Sequence, residues 1–155
     1  KPSEIKNRFT VLENQLKNSE KKLKDLQEKN AVSDIEKLID QIQKVSGISL
    51  LSSNLGELPM DALRKVLDRL RQSIKSGIIV IGSKDNGKAC FAASVSEDLI
   101  INGYHAGKII EKVALIADGG GGGKPDKAQA GGKNGSKVDD AINAVTEIIK
   151  DQRKI

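Results

Sequence analysis

Five consecutive glycines, Gly119–Gly123, with Gly131-Gly132 close behind them, constrain this chain more than any other feature. Glycine is the default where a backbone must take positive φ or approach another backbone closely, and elsewhere it costs folding entropy. The stretch 118–133 holds seven of the 15 glycines. A flexible linker would repeat Gly and Ser. Here the glycines run into Lys124, Pro125, Lys127 and the small-residue run Ala128-Gln129-Ala130. The pattern predicts a shaped Gly-rich loop, 118–133, leading into a short strand over 128–132. Successive glycine amides in such a loop can form an anion-binding nest with lysines at its edge. A Walker-type loop is excluded because Pro125 follows Lys124, and the context of a dinucleotide fingerprint is also missing. On spacing alone, a plain connector and a polyanion-contacting loop are equally open.

Upstream, residues 3–30 carry a heptad stripe of Ile5, Phe9, Leu12, Leu16, Ser19, Leu23, Leu26 and Asn30. This is the a/d pattern of a coiled coil or an antiparallel helix pair, and such a helix needs a partner for its seam. The sequence Ser33-Asp34-Ile35-Glu36 reads as a capping box that opens a second helix, with Ile35, Leu38, Ile39, Ile42 and Val45 on one face and Gly47 closing it. Strands are expected at 48–53, 77–83 and 89–95, the last two joined by a turn at Asn86-Gly87. Helices are expected from Pro59, over 99–117 and over 138–149. Alternating strands and helices imply an α/β domain, a mixed sheet covered by helices. It spans 32–155 and follows a long helical extension over 1–31.

Charge separates along the same lines. The formal net charge is +5, and the chain has 26 Lys and Arg against 21 Asp and Glu. The surplus is +3 over 1–30 and +2 over 118–137, so it is concentrated on the helix and the glycine stretch. That balance suits an anionic partner without establishing one. Aromatic residues make up 2% of the chain, with no Trp, one Tyr and two Phe, so a multi-aromatic platform for stacking bases is excluded. No apolar run is long enough to cross a membrane, and no signal peptide is evident. The chain starts at Lys1 without a methionine and reads as a piece of a larger, cytoplasmic protein.

Catalysis finds little material. His105 and Cys90 are the only residues of their types, so no zinc set can form, and no metal or cofactor is expected. Glu97-Asp98 is explained by the dipole of the helix it precedes. Cys90 reads as core. Tyr104, His105 and Lys108 lie together, and could stack on a base and bind phosphate. By residue type the alternative leads, with Tyr104 plugging the core edge and His105 capping a turn.

The run Gly121-Gly122-Gly123-Lys124-Pro125-Asp126-Lys127-Ala128-Gln129-Ala130-Gly131-Gly132 resembles the GGG-[KR]-PxxAQAGG signature of the C-terminal domain of alanyl-tRNA synthetases. That domain belongs to the DHH-associated family, shared with RecJ-type exonucleases. Element order extends the likeness over about 33–150, and the Ala106-Gly107 pair and the heptad helix also fit it. Asp118 and Lys127 depart from the family pattern at its periphery. The resemblance implies a non-catalytic module that binds the outer corner of alanine-specific tRNA and links aminoacylation with editing, alongside the aminoacylation and editing domains of the same enzyme. It implies no ligase or deacylase activity for these residues alone. The nucleic-acid-binding set would be Tyr104, His105, Lys108, Gly121, Gly122, Gly123, Lys124, Gln129 and Lys133. Ile5, Phe9, Leu12, Leu16, Leu23 and Leu26 would form a self-association seam, giving a homodimer. The alternatives are a generic single- or double-stranded nucleic-acid module that also binds DNA, and a pure oligomerisation domain.

Overall fold

The computed structural model describes residues 2–153, with side chains described for 3–23 and 35–152. The chain divides into two units, 1–36 and 37–155. The first is almost wholly helix. Helix α1 (Pro2–Ile39) is unbroken for 38 residues. Ile5, Phe9, Leu12, Leu16 and Leu23 are all exposed on it, each at 60% or more. Leu26 of the seam, and the hydrogen bonds of the Ser33 capping box, lie outside the described side chains.

The capping box does not open a helix. The backbone is helical through Ser33 and ends at Ile39. Residues expected to continue that helix instead form β1 (Gln43–Val45), which pairs antiparallel with β2 (Ile48–Glu57). Ser46 and Gly47 both take positive φ, 55° and 82°, the signature of a two-residue hairpin turn. Gly47 therefore serves a strand turn, and a Ser-x-x-Glu spacing is equally compatible with the interior of a helix.

In the second unit the sheet runs in the order β1-β2-β3-β4-β6-β5. Helix α2 (Met60–Ser73) links β2 to β3 (Ile78–Asp85), the one parallel pair of the sheet. β3 turns through Asn86-Gly87, at φ 50° and 79°, into β4 (Lys88–Val95). Then follow α3 (Glu97–Ile101), α4 (Ala106–Ile116), β5 (Gly119–Gly123), β6 (Lys127–Gly132) and α5 (Val138–Arg153). The single helix expected over 99–117 is broken in two, because Gly103 takes φ 98°. This is the mixed α/β sheet that the alternating pattern predicted.

Strand alternation sorts the core onto two faces. Ile78, Val80, Phe91, Ala93 and Val95 join Ala128 and Ala130 of β6 in one cluster with Ile109, Ile110 and Val113 of α4 and Val145 and Ile149 of α5. The other face carries Leu51, Ile79, Ile81 and Ala92, and α2 packs there, burying Leu63, Val66, Leu67 and Leu70. Two helices thus cover one face from end to end, while α2 covers only part of the other. The uncovered part lies over β5, β6 and the Lys88–Cys90 end of β4.

Candidate nucleic-acid interface

The glycine run is a strand, not a loop. Gly119–Gly123 pairs antiparallel with β6 in unbroken register, Gly119 opposite Gly132 and Gly123 opposite Ala128. Successive amides of a strand point in opposite directions, so they cannot converge on one anion as a nest would. The expected loop 118–133 is a hairpin whose turn is Lys124-Pro125-Asp126. The turn is held by three hydrogen bonds from α4 and β4. Pro125 O accepts from Ala106 N at the start of α4 (2.9 Å), and Asp126 O accepts from Val95 N (3.0 Å) and from Ser94 Oγ (3.1 Å).

Glycine is required at alternate positions of β5 for close approach. A Cβ on Gly119 would stand 1.9 Å from Gly131 O, one on Gly121 2.3 Å from Ala130 Cβ, and one on Gly123 2.6 Å from Ala128 Cα. Gly107 of α4 obeys the same rule, since its Cβ would lie 2.8 Å from Gly123 O. Gly120 and Gly122 differ: a Cβ there would meet nothing within 4 Å, and one on Gly131 would touch only Ala89 O, at an ordinary 3.7 Å. None of these three takes positive φ. Each costs roughly 0.5–1 kcal/mol relative to alanine with no internal reason. By register the three share the sheet face opposite α4, where Gly120 faces Gly131 and Gly122 faces Gln129.

From the α2 side, a ladder of polar contacts fixes this hairpin. Arg64, Asp68 and Arg71 lie one turn apart along α2 and reach three residues of the hairpin in reverse order. Arg64 Nε donates to Gln129 Oε1 (2.6 Å), Asp68 pairs with Lys127, and Arg71 with Asp126 (3.7 Å). Asp61 braces Arg64 from the preceding turn at 3.6 Å. Arg64 and Arg71 are not among the site residues anticipated from the sequence. Their four-and-three spacing through Asp68 was the available signal.

The anticipated site residues do not form one patch. His105, Lys108, Gly123 and Lys124 gather around the turn and the first turn of α4. Lys133 stands at the open end of the hairpin, its N–H directed at Asp118 O (3.5 Å). Strand rise puts it roughly 20 Å along the hairpin from Lys124. Gln129, Gly121 and Gly122 lie between. Tyr104 belongs to the core, 5% exposed, and offers no face for stacking, which corrects its placement in the set. His105 is the N-cap of α4, its Nδ1 accepting from Lys108 N (3.3 Å), so the cap alternative describes it. Lys127 and Lys137 are neutralised by Asp68 and Asp118. Lys88, Lys108, Lys124 and Lys133 are exposed and have no acidic partner within 4 Å among the described residues.

Other chemistry is sparse. Cys90 is a buried free thiol pushed up from its ordinary value by burial and by Asp85. Among the described residues no group of three or more His, Cys, Asp or Glu could hold a metal ion, and no helix is long and apolar enough to cross a membrane.

The chain that folds into this mixed sheet and glycine hairpin matches the DHHA1 domain family. The model of that family matches residues 47–151, and the chain belongs to it. Within the family the chain is similar to the alanine–tRNA ligases. It is 40% identical over 152 residues to that of Alkaliphilus metalliredigens (strain QYMF), a match covering 98% of this chain and 17% of the relative. With the ligase of Exiguobacterium sibiricum (strain DSM 17290) it shares 43% identity over 142 residues, covering 92% of this chain and 16% of the relative. The chain thus spans about a sixth of the length of these curated relatives. Among solved structures it is similar to the C-Ala domain from Aquifex aeolicus alanyl-tRNA synthetase, with a TM-score of 0.63 and 32% identity, covering 70% of this chain and 96% of that one.

Proposed function

We propose that this chain is a non-catalytic, tRNA-binding C-terminal domain of an alanine–tRNA ligase, working in the cytoplasm. It holds the outer corner of an alanine-specific tRNA while the same tRNA is presented to the aminoacylation and editing domains of its enzyme. The likeness across nearly the whole of a C-Ala domain carries the reading. It is supported by four lysines with no acidic partner within 4 Å among the described residues, Lys88, Lys108, Lys124 and Lys133, distributed around a hairpin nearly bare of side chains. Lysines without carboxylate partners are the groups that release counterions on meeting phosphates, and phosphate contacts position a nucleic acid without reading its sequence. Lys124 and Lys133, at opposite ends of the hairpin, fit two separated phosphates better than one.

The test is a titration of a tRNA transcript at two salt concentrations, with the chain and with Lys124→Ala/Lys133→Ala. The substituted chain should bind more weakly, and its salt dependence should flatten by a slope of about 2, one unit for each phosphate that no longer meets a lysine. Unchanged affinity and slope would remove these lysines from the interface. Unstructured DNA that displaces tRNA at equal mass would favour the generic binder.

A second reading attaches to the first unit. Five apolar seam residues of α1, Ile5, Phe9, Leu12, Leu16 and Leu23, are exposed, and a heptad seam of this kind pairs with a second helix. A homodimer through this seam is compatible with tRNA binding by the second unit. Sedimentation of the chain with and without residues 1–30 decides it, since an association state unaffected by the deletion would dismiss the seam.

A further inference from the structure

The open end of the hairpin borders a cleft of about 510 Å³ on the sheet face that α2 leaves uncovered. Gly120 and Gly131 form its floor as a cross-strand pair, and Cys90 continues the floor as the β4 partner of Gly131. Cys90 is 9% exposed and lines the cleft as a free thiol. Lys88 and Lys133 stand on the rim as two ammonium groups with no carboxylate within 4 Å among the described residues, Asp85 being the cross-strand neighbour of Lys88. Of the two carboxylates there, Asp118 is engaged by Lys137 (3.5 Å), and Asp85 has no cation within 4 Å among the described residues. With Lys137 counted against Asp118, the rim carries one net positive charge over a floor with almost no side chains.

Nothing inside the protein asks for glycine at 120 or 131. A methyl group at either position would reach open space or an ordinary contact. What such a methyl would obstruct is an external group lying flat on the strands. With neighbouring strands about 4.8 Å apart and same-face residues about 6.7 Å apart, the bare floor from β5 to β4 matches the dimensions of a nucleobase. Every base has a π-face that stacks on a flat surface without regard to sequence.

We propose that this cleft seats the exposed flat face of a nucleobase at the surface of a folded RNA, with Lys88 and Lys133 taking the flanking phosphates. The inference rests on the tRNA-binding reading above and adds a contact that reading does not contain. It also revises the exclusion drawn from composition. No aromatic side chain lines the cleft, yet peptide planes stripped of side chains provide a stacking surface in their place. Arg64 borders the same face through Gln129, whose Oε1 it occupies, leaving the Gln129 amide hydrogens for the RNA.

The experiment compares Gly120→Val/Gly131→Val with Lys88→Ala/Lys133→Ala, using the full chain and two probes, a tRNA transcript and inorganic polyphosphate. The valines should weaken tRNA binding by about tenfold or more while changing polyphosphate binding less than about twofold, because they block a flat contact and leave the charge intact. The alanines should weaken both probes. If the valines leave tRNA binding unchanged while the alanines reduce it, the cleft inference falls and the phosphate-contact reading stands. If neither pair matters, both fall. Valines that weaken both probes equally would also overturn the stacking floor. A thermal melt accompanies each variant. Should the valine pair melt early, Gly120→Ala/Gly131→Ala replaces it, and chemical probing of the base faces in the tRNA loops supplies the readout. Protection by the parent chain that the alanine pair lacks supports the contact, and protection unchanged by the pair overturns it.

Discussion

Arg64 Nε lies 2.6 Å from Gln129 Oε1, joining the middle of α2 to the middle of β6 across 65 positions of sequence. The contact is the first rung of a ladder continued by Asp68 with Lys127 and Arg71 with Asp126. Its consequence is orientation. Gln129 is kept against α2, and the glycine strand beside it stays uncovered. Arg64 is substantially exposed, so solvent screens the bond. A double-mutant cycle of Arg64→Ala with Gln129→Ala should give a coupling of only about 0.5–1 kcal/mol. A coupling indistinguishable from zero would show that the ladder does not hold the hairpin.

The two classes of glycine in β5 and β6 should separate in stability. Gly121→Ala places a methyl on Ala130 and should destabilise by about 1–3 kcal/mol, as overpacking does. Gly120→Ala and Gly131→Ala should be neutral or stabilising by up to about 1 kcal/mol each, since their backbone does not need positive φ. Denaturant unfolding of the three variants checks this. Equal losses at all three would mean that the open face is not open in solution.

His105 acts as a cap. His105→Ala should cost about 1 kcal/mol through α4, and His105→Asn should recover most of it, because asparagine is a preferred N-cap. If instead both variants abolish tRNA binding with no change in stability, His105 touches the nucleic acid directly. Tyr104→Phe keeps the buried ring and should leave tRNA affinity unaltered.

At the far end of the sheet, Ser76 Oγ donates to Asp98 Oδ2 at 2.5 Å. This bond first, and Ser96 second, hold the Asp98 carboxyl below the usual carboxylate range. A folded-state value below the unfolded one stabilises the fold above the unfolded value, and that contribution is lost as pH falls through the folded one. Ser76→Ala should therefore raise the Asp98 titration toward the ordinary aspartate value, followed by NMR of the side-chain carboxyl. An unmoved midpoint would assign the shift to something other than Ser76.

Local patterns carried much of this fold into the sequence. The Asn86-Gly87 turn, the apolar strands around it and the amphipathic faces of α2 and α5 were all legible because each is decided within a few residues. Gly47 and Ser33 were misleading for the same reason: a helix stop and a hairpin turn both ask for positive φ, and Ser-x-x-Glu fits a helix start and a helix interior alike. The pentaglycine strand was illegible because glycine has low strand propensity. Only the distant partners Ala128, Ala130 and Gly107 reveal why side chains are excluded around Gly121 and Gly123, while Gly120 and Gly122 have room for one. Of the anticipated site, Lys124, Gln129 and Lys133 stand exposed along the hairpin. Tyr104 was displaced by burial, Lys88 went unassigned because register brings it there, and the spacing of Arg64 with Asp68 and Arg71 marked a helix face without naming its tertiary partner.

Amide NMR of the isotopically labelled chain during titration with a tRNA transcript tests the hairpin interface most directly. Shifts should concentrate on Gly120, Gly122, Lys124, Gly131 and Lys133, with Lys88 and the first turn of α4 following, and α5 should remain silent. A response concentrated on α5 or β2 with the hairpin unmoved would contradict it.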